Sequence, residues 1–263
     1  MAETGRLNRG PGFAAADPVM LLRVGLIAAA LALWQAVSVS GLLFRDVVPS
    51  LGAIAGALAR ILIDPGSYGH LGTSGLEIAT ALVIGGLSGL MVGLALGANR
   101  LLGKAFEPYL YYLGPTPKII FFPVMIMWFG VGPGSKIAMG VISCFFPIAL
   151  STAAGMRQID RVLIRVGHSF RAATWQMVSK IYLPALREPL VNGVRLGLGV
   201  AVIGTLLAET KLSNRGVGFL VINSYSTFDM PRMYALLIVV FVIAIGANAL
   251  IGRLGAGSRH LKS

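Results

Sequence analysis

The sequence predicts an all-α fold, a polytopic membrane helix bundle of about six transmembrane helices, and three observations carry that expectation. Of 263 residues, 56% are hydrophobic and 12% charged, with mean hydropathy +0.80, whereas a soluble domain carries about 25% charged residues. The apolar residues fall in uncharged runs of about 20, enough at about 1.5 Å per residue to cross about 30 Å of hydrocarbon. The 34 glycines suit a lipid solvent, because glycine lets membrane helices approach closely.

A polar, Gly/Pro-containing tail (1–18) precedes the first span, Val24 to Phe44, which is too long for the apolar part of a cleavable signal and lacks a small-residue cleavage site. Pro49 and Ser50 open a short helix with Leu51, Ile54, Leu58 and Leu62 in register and Arg60 off that stripe, suited to an interface or a connection. Ile78 to Asn99 is the second span, and Gly85, Gly89, Gly93 and Gly97 fall on one of its faces, predicting close packing. Arg100 and Lys104 lead to a third span over about Pro108 to Val131, which Pro115, Pro117 and Pro123 should bend or break. A tight loop from Gly130 to Lys136 precedes the fourth span, Ile137 to Met156, with Pro147 inside it. The stretch from Arg157 to Glu188 carries Arg157, Arg161, Arg165, His168, Arg171, Lys180 and Arg187 and is too polar to span. Pro189 to Ala208 and Met233 to Gly252 complete the set, ahead of a basic tail (255–263).

Six spans put both ends on one side, and 14 of the 22 Lys and Arg then fall on the side shared by the termini and the 157–188 stretch, against 6 opposite. The positive-inside bias makes that side cytoplasmic. The expected organisation is one transmembrane domain, 19–254, holding a cytoplasmic loop, 157–188, between two cytoplasmic tails.

The net charge of +12 does not indicate nucleic acid, because the basic residues punctuate apolar runs rather than forming a solvated patch. Cys144 is the single cysteine, and His70, His168 and His260 lie far apart in predicted loops or tails, so neither a metal nor a catalytic set is expected. Gly130, Gly132, Gly134 and Lys136 imitate a phosphate loop but lack its Gly-Lys-Ser/Thr order and join two spans, so no nucleotide or other cofactor is expected on this chain.

The 157–188 loop reads as two short amphipathic pieces. Asp160 caps the first, with Val162, Val166 and Phe170 on one side; Trp175, Val178, Ile181 and Tyr182 mark the second, which ends at Pro184. Such a pair suits docking of a soluble partner. Here the sequence resembles the nitrate/sulfonate/taurine-type permeases of binding-protein-dependent ATP-binding-cassette importers. Their cytoplasmic signature is Glu-Ala-Ala, three residues, Gly, nine residues, then Ile-x-Leu-Pro. Ile181, Leu183 and Pro184 match its end, with Ala172 and Trp175 in the middle, while Arg165, Val166 and Gly167 stand in place of Glu-Ala-Ala and Arg171 in place of Gly. Pro115 through Phe129-Gly130, Ser135-Lys136 and Phe145-Phe146-Pro147 resemble the family's third and fourth spans, and Ala208-Glu209 with Gly216-x-Gly218 its later segment.

The resemblance implies a non-catalytic permease subunit in a bacterial inner membrane, paired with a second permease subunit as a homodimer. Cytoplasmic ATPase subunits hydrolyse ATP, and an extracytoplasmic solute-binding protein delivers the solute and sets selectivity among compounds such as nitrate, sulfonates, organic acids or pyrimidines. It implies ATPase coupling at Arg165, Val166, Gly167, Phe170, Arg171, Ala172, Trp175, Ile181, Leu183 and Pro184. Pro117, Lys118, Pro123 and Glu209 are the candidates for the path or gate, Lys118 because an intramembrane charge normally faces a partner or a watery cavity. Arg195, on the cytoplasmic side of span five, reads as structural. The competing function, a self-contained secondary transporter, calls for inverted repeats and midplane carboxylates, and the sequence displays neither. An intramembrane enzyme acting on lipid calls for a clustered catalytic set, which is also not displayed.

Overall fold

Residues 18–41 and 47–256 are described here in a computed structural model; the tails bearing Arg6, Arg9, Arg259, His260 and Lys262, and the segment 42–46 with Arg45, lie outside the described residues. Five helices are long and apolar enough to cross a membrane, and a bent helix pair makes a sixth span if counted as one. No strand occurs among the described residues.

Helix α1 (Pro18–Ser40) starts six residues before the expected Val24, because Val19 to Leu22 continue the apolar run across Arg23. Three hydrogen bonds tie it to the entry of the second helix, Trp34 Nε1 donating to Pro49 O at 3.0 Å, Ser38 Oγ to Val48 O at 2.9 Å and Leu51 N to Gln35 Oε1 at 3.1 Å. Helix α2 (Leu51–Ile63) is capped by Ser50, whose Oγ accepts from Ala53 N at 3.2 Å. It buries Ile54, Ala57 and Ile61 in a cluster with Leu220, Leu236 and Val239. Asp64 ends α2 and caps α3, accepting from Gly66 N and Ser67 Oγ, both at 3.0 Å. The Gly66 backbone N–H, and then the Ser67 hydroxyl, hold its carboxyl below the usual carboxylate range.

Helix α3 (Pro65–Ala98) begins thirteen residues before the expected Ile78, and His70 lies inside it rather than in a loop. Its polar first half misled the sequence reading: Ser67, Ser74 and Glu77 are buried and share the face that continues through Ala81 into Gly85, Gly89 and Gly93. At 34 residues the helix is about 51 Å long, so it tilts or projects beyond the hydrocarbon.

Helix α4 (Arg100–Leu113), capped by Asn99 and with Pro108 inside it, is followed by a 3-10 turn (Lys118–Phe121) and α5 (Phe122–Phe129), the two arms meeting at 92°. The expected break is there, at Pro115 and Pro117. Helix α6 (Pro133–Arg157) takes in Lys136, placed by the sequence in a loop; its 4% exposed side chain folds back to donate to Val131 O and Gly132 O at 3.1 and 3.2 Å. Short helices α7 (Arg161–Ser169), α8 (Thr174–Met177) and α9 (Leu183–Ala185) lead to α10 (Arg187–Glu209), α11 (Val217–Ser226), which the sequence reading missed, and α12 (Met230–Ala256).

The core is α6 clasped between α3 and α10. A Cβ on Gly89 would stand 2.9 Å from Phe145 O, and one on Gly93 2.5 Å from Ala149 O and Thr152 Cβ, so the glycine face is where the α3 and α6 backbones meet. On the opposite side, Gly193, Gly197 and Gly204 of α10 press on Ser151, Ile148 and Ser143 of α6. Glu107 and Arg157 form an ion pair that ties α4 to the end of α6.

Candidate functional site

Three places gather the residues that the sequence singles out. The first is the hairpin between α6 and α10. Asp160 Oδ1 accepts from Val162 N at 2.8 Å and starts α7 as expected. Gly167 lets α7 lie on the second piece: a Cβ there would come within 2.6 Å of Ile181 Cδ1 and crowd Met177. Helix α7 closes with Arg171 N donating to His168 O at 2.9 Å and Ala172 N to Gly167 O at 3.0 Å, a paired C-terminal motif that needs a left-handed residue. That residue is Arg171, at φ 51°, in the place where the resembling family carries Gly. The substitution keeps the geometry at a cost of about 1 kcal/mol. We expect Arg171→Gly to raise the thermal stability of the purified chain by about that amount; an unchanged melting temperature would show that the left-handed turn costs nothing here.

Ala173 N donates to Gln176 Oε1 at 2.9 Å to open α8, and the chain widens into a π turn over Val178–Tyr182. Pro184, which has no N–H to return to Lys180, follows it. The hairpin thus divides the residues expected to couple into two groups. Gly167 is buried and Ile181 and Leu183 half-buried in its framework, beside Met177, and Ala172 is half-buried. Arg165, Val166, Arg171 and Pro184 are exposed, and Phe170 and Trp175 stand 83% and 73% exposed.

The second place is the break between α4 and α5. The Lys118 ammonium donates to the carbonyls of Gly114 and Thr116, which the interrupted helix leaves unpaired, and sits 5.3 Å from the Phe146 ring centroid. Pro117 and Pro123 flank it, both exposed.

The third is a buried polar cluster at the far end of α10. Glu209 has 0% exposure; its Oε1 accepts from Ser74 Oγ and its Oε2 from Gly218 N, both at 2.6 Å. Val217 N donates to Ser74 Oγ at 2.7 Å, and Gly216 N to His70 Nδ1 at 3.1 Å. Three successive N–H groups at the start of α11 are therefore met by two residues of α3 and the last residue of α10. Gly216, at φ 101°, makes the turn, and a Cβ on it would strike the Glu209 carboxyl. Glu77, buried beside Glu209, keeps an Oε2 with no hydrogen-bond partner among the described residues, and Lys136 lends both carboxyls its positive field. Of this cluster the sequence points to Glu209 as a site residue and to Gly216 and Gly218 by resemblance, and leaves His70, Ser74 and Glu77 without a role. The available signal was the spacing of Ser67, His70, Ser74 and Glu77, in phase with the glycine face.

Residues 85–260 match the family described as the binding-protein-dependent transport system inner membrane component. The taurine transport system permease protein of Escherichia coli is 30% identical over 244 residues, covering 89% of this chain and 88% of that one. The nitrate import permease protein of Synechococcus elongatus is 24% identical over 226 residues, covering 82% and 80%. Among solved structures, the MetNI methionine ABC transporter in inward-facing conformations aligns with a TM-score of 0.59 at 18% identity, over 69% of this chain and 93% of that one, a likeness of fold.

Proposed function

The chain belongs to the family of binding-protein-dependent transport system inner membrane components and is the membrane-spanning permease subunit of an ATP-driven solute importer; from that premise we propose how its parts divide the work. The hairpin from Arg161 to Ala185 faces the cytoplasm and docks on a separate ATP-binding-cassette ATPase, whose hydrolysis drives transport. The observation that carries this is the pair Phe170 and Trp175, large apolar side chains held out from a framework whose own apolar contacts are already made. Two copies of the chain enclose the path in a bacterial inner membrane, and a solute-binding protein delivers to the outer ends of α3, α10 and α12. The Glu209 cluster clamps the outer ends of α3 and α10 to the start of α11, where a gate must open and close.

Topology tests the assignment of sides. Cys144 is fully buried, so thiols introduced by Ser169→Cys and Ser213→Cys report alone. In intact cells an impermeant reagent should spare the first and label the second; the reverse pattern overturns the orientation.

The named solutes of the two relatives, taurine and nitrate, share an oxyanion. We assign the path to a small oxyanion, with Lys118 placing a positive charge beside the broken helix in a low-dielectric setting, where about 1.4 kcal/mol of attraction changes occupancy tenfold. Lys118→Met should then lower uptake of an anionic solute about tenfold in protein that still assembles, with Lys118→Arg retaining most of it. Equal uptake by Lys118→Met and wild type would leave Lys118 as a cap on the broken helix and nothing more.

A further inference from the structure

Arg195 has no role in coupling, path or clamp. Arg195 lies eight residues beyond the start of α10, about 12 Å along the helix. It is exposed on the outer surface and donates from Nε to Asn248 Oδ1 of α12 at 2.9 Å. Helical side chains lean toward the N-terminus, which for α10 is its cytoplasmic end in the proposed orientation. The guanidinium accordingly reaches the level of Gly252, one turn past Asn248, where a Cβ would stand 3.6 Å from Cζ and Nη1. Asn248 is neutral and fixes the fork through Nε alone; the two Nη groups make no hydrogen bond among the described residues. A charge left exposed so in a membrane-spanning helix is costly unless an anionic partner or water meets it.

Directly outward of the fork opens an apolar cleft of about 310 Å³ between α3, α10 and α12. Leu198, Val202 and Leu206 continue the Arg195 face of α10 along it, and its α12 wall runs from Ile251 to Val240. The twelve α12 residues from Val240 to Ile251 rise about 16 Å, close to the depth of one leaflet, and the cleft's far end reaches Ser74 and Val217. Small residues, Gly75, Ala79, Ala244 and Ala247, keep it open. A planar cation at one end of a methylene-lined channel matches one ligand chemistry, a phosphate diester joined to an acyl chain. We propose that Arg195 and Asn248 hold the phosphate of an anionic phospholipid whose acyl chain fills this cleft. Arg253, exposed in the last turn of α12, adds the potential that favours an anionic over a zwitterionic headgroup. The choice of inner leaflet rests on the proposed orientation; the site itself does not.

Native mass spectrometry of the purified full-length chain tests this with phosphatidylglycerol and phosphatidylcholine of identical acyl chains. Wild type should retain phosphatidylglycerol in preference to phosphatidylcholine. Arg195→Gln should cut that retention about tenfold, the loss expected when a charged hydrogen-bond pair is removed, and Arg195→Lys should fall between. Ala247→Trp, which fills the cleft and leaves the cation, should lower retention of both lipids, and it carries the test alone if Arg195→Gln does not yield folded protein. Equal retention of the two lipids by wild type, undiminished phosphatidylglycerol on Arg195→Gln, or undiminished lipid on Ala247→Trp overturns the proposal. The readout uses neither ATP nor an ATPase, so its failure is separate from any failure of the permease assignment.

Discussion

Trp175→Ala is expected to release the ATPase from the purified permease, weakening the complex by about 30-fold, the loss typical when a buried aromatic anchor at the centre of an interface is truncated. Trp175, in the first turn of α8, and Phe170, the residue that caps the end of α7, are both largely exposed in the same hairpin. Neither supports the fold of the hairpin, whose framework is Gly167 against Met177 and Ile181. Truncation therefore opens no cavity here, so a loss of assembly would report a contact with the partner. Phe170→Ala should act in the same direction. Arg165→Ala, which removes a charge at the exposed edge of α7, should change affinity by no more than about fivefold and mainly alter its salt dependence. Affinity copurification at two salt concentrations, with membrane insertion as the control, measures all three. Full assembly by inserted Trp175→Ala would reduce the hairpin to a surface loop.

Glu209→Ala should destabilise the purified chain by about 2–5 kcal/mol and abolish uptake. The carboxyl is fully buried and accepts from two groups, Ser74 Oγ and Gly218 N. Leaving a buried donor without an acceptor costs about 1–3 kcal/mol each, and the vacated space adds a cavity term. Glu209→Gln keeps one acceptor and the volume, so it should lose less than half as much. The effect reaches transport because the clamp joins α3 and α10 to the start of α11, and Gly216 and Gly218 leave no room for another side chain to take over. Thermal unfolding in detergent, beside uptake in vesicles, separates the two effects. Wild-type stability with wild-type uptake in Glu209→Ala would dissolve the clamp.

Much of the architecture was legible because lipid enforces simple rules. Uncharged runs gave the spans, four glycines at helical spacing gave the α3–α6 seam, and the prolines at 115 and 117 gave the bend after α4. What stayed hidden was polar and buried. His70 and Ser74 look like a loop in sequence because their partners lie 135 to 146 residues away on α10 and at the start of α11. Lys136 reads as a solvated loop cation until α6 is seen to begin at Pro133 and bury it. Arg171 reads as a lost signature glycine; the backbone there keeps the left-handed turn that glycine would have supplied.

The central claim is that this chain moves solute only when a separate ATPase hydrolyses ATP against its hairpin. Proteoliposomes holding the permease with its copurified ATPase, loaded binding protein outside and ATP within reach of the ATPase, measure hydrolysis and solute uptake together. We predict that uptake and solute-stimulated hydrolysis rise together, that omitting the ATPase abolishes both, and that Trp175→Ala uncouples them. Uptake by the chain alone, driven by a proton or sodium gradient and lost when the buried Glu77 and Glu209 are neutralised, would contradict the account and make the protein a secondary transporter.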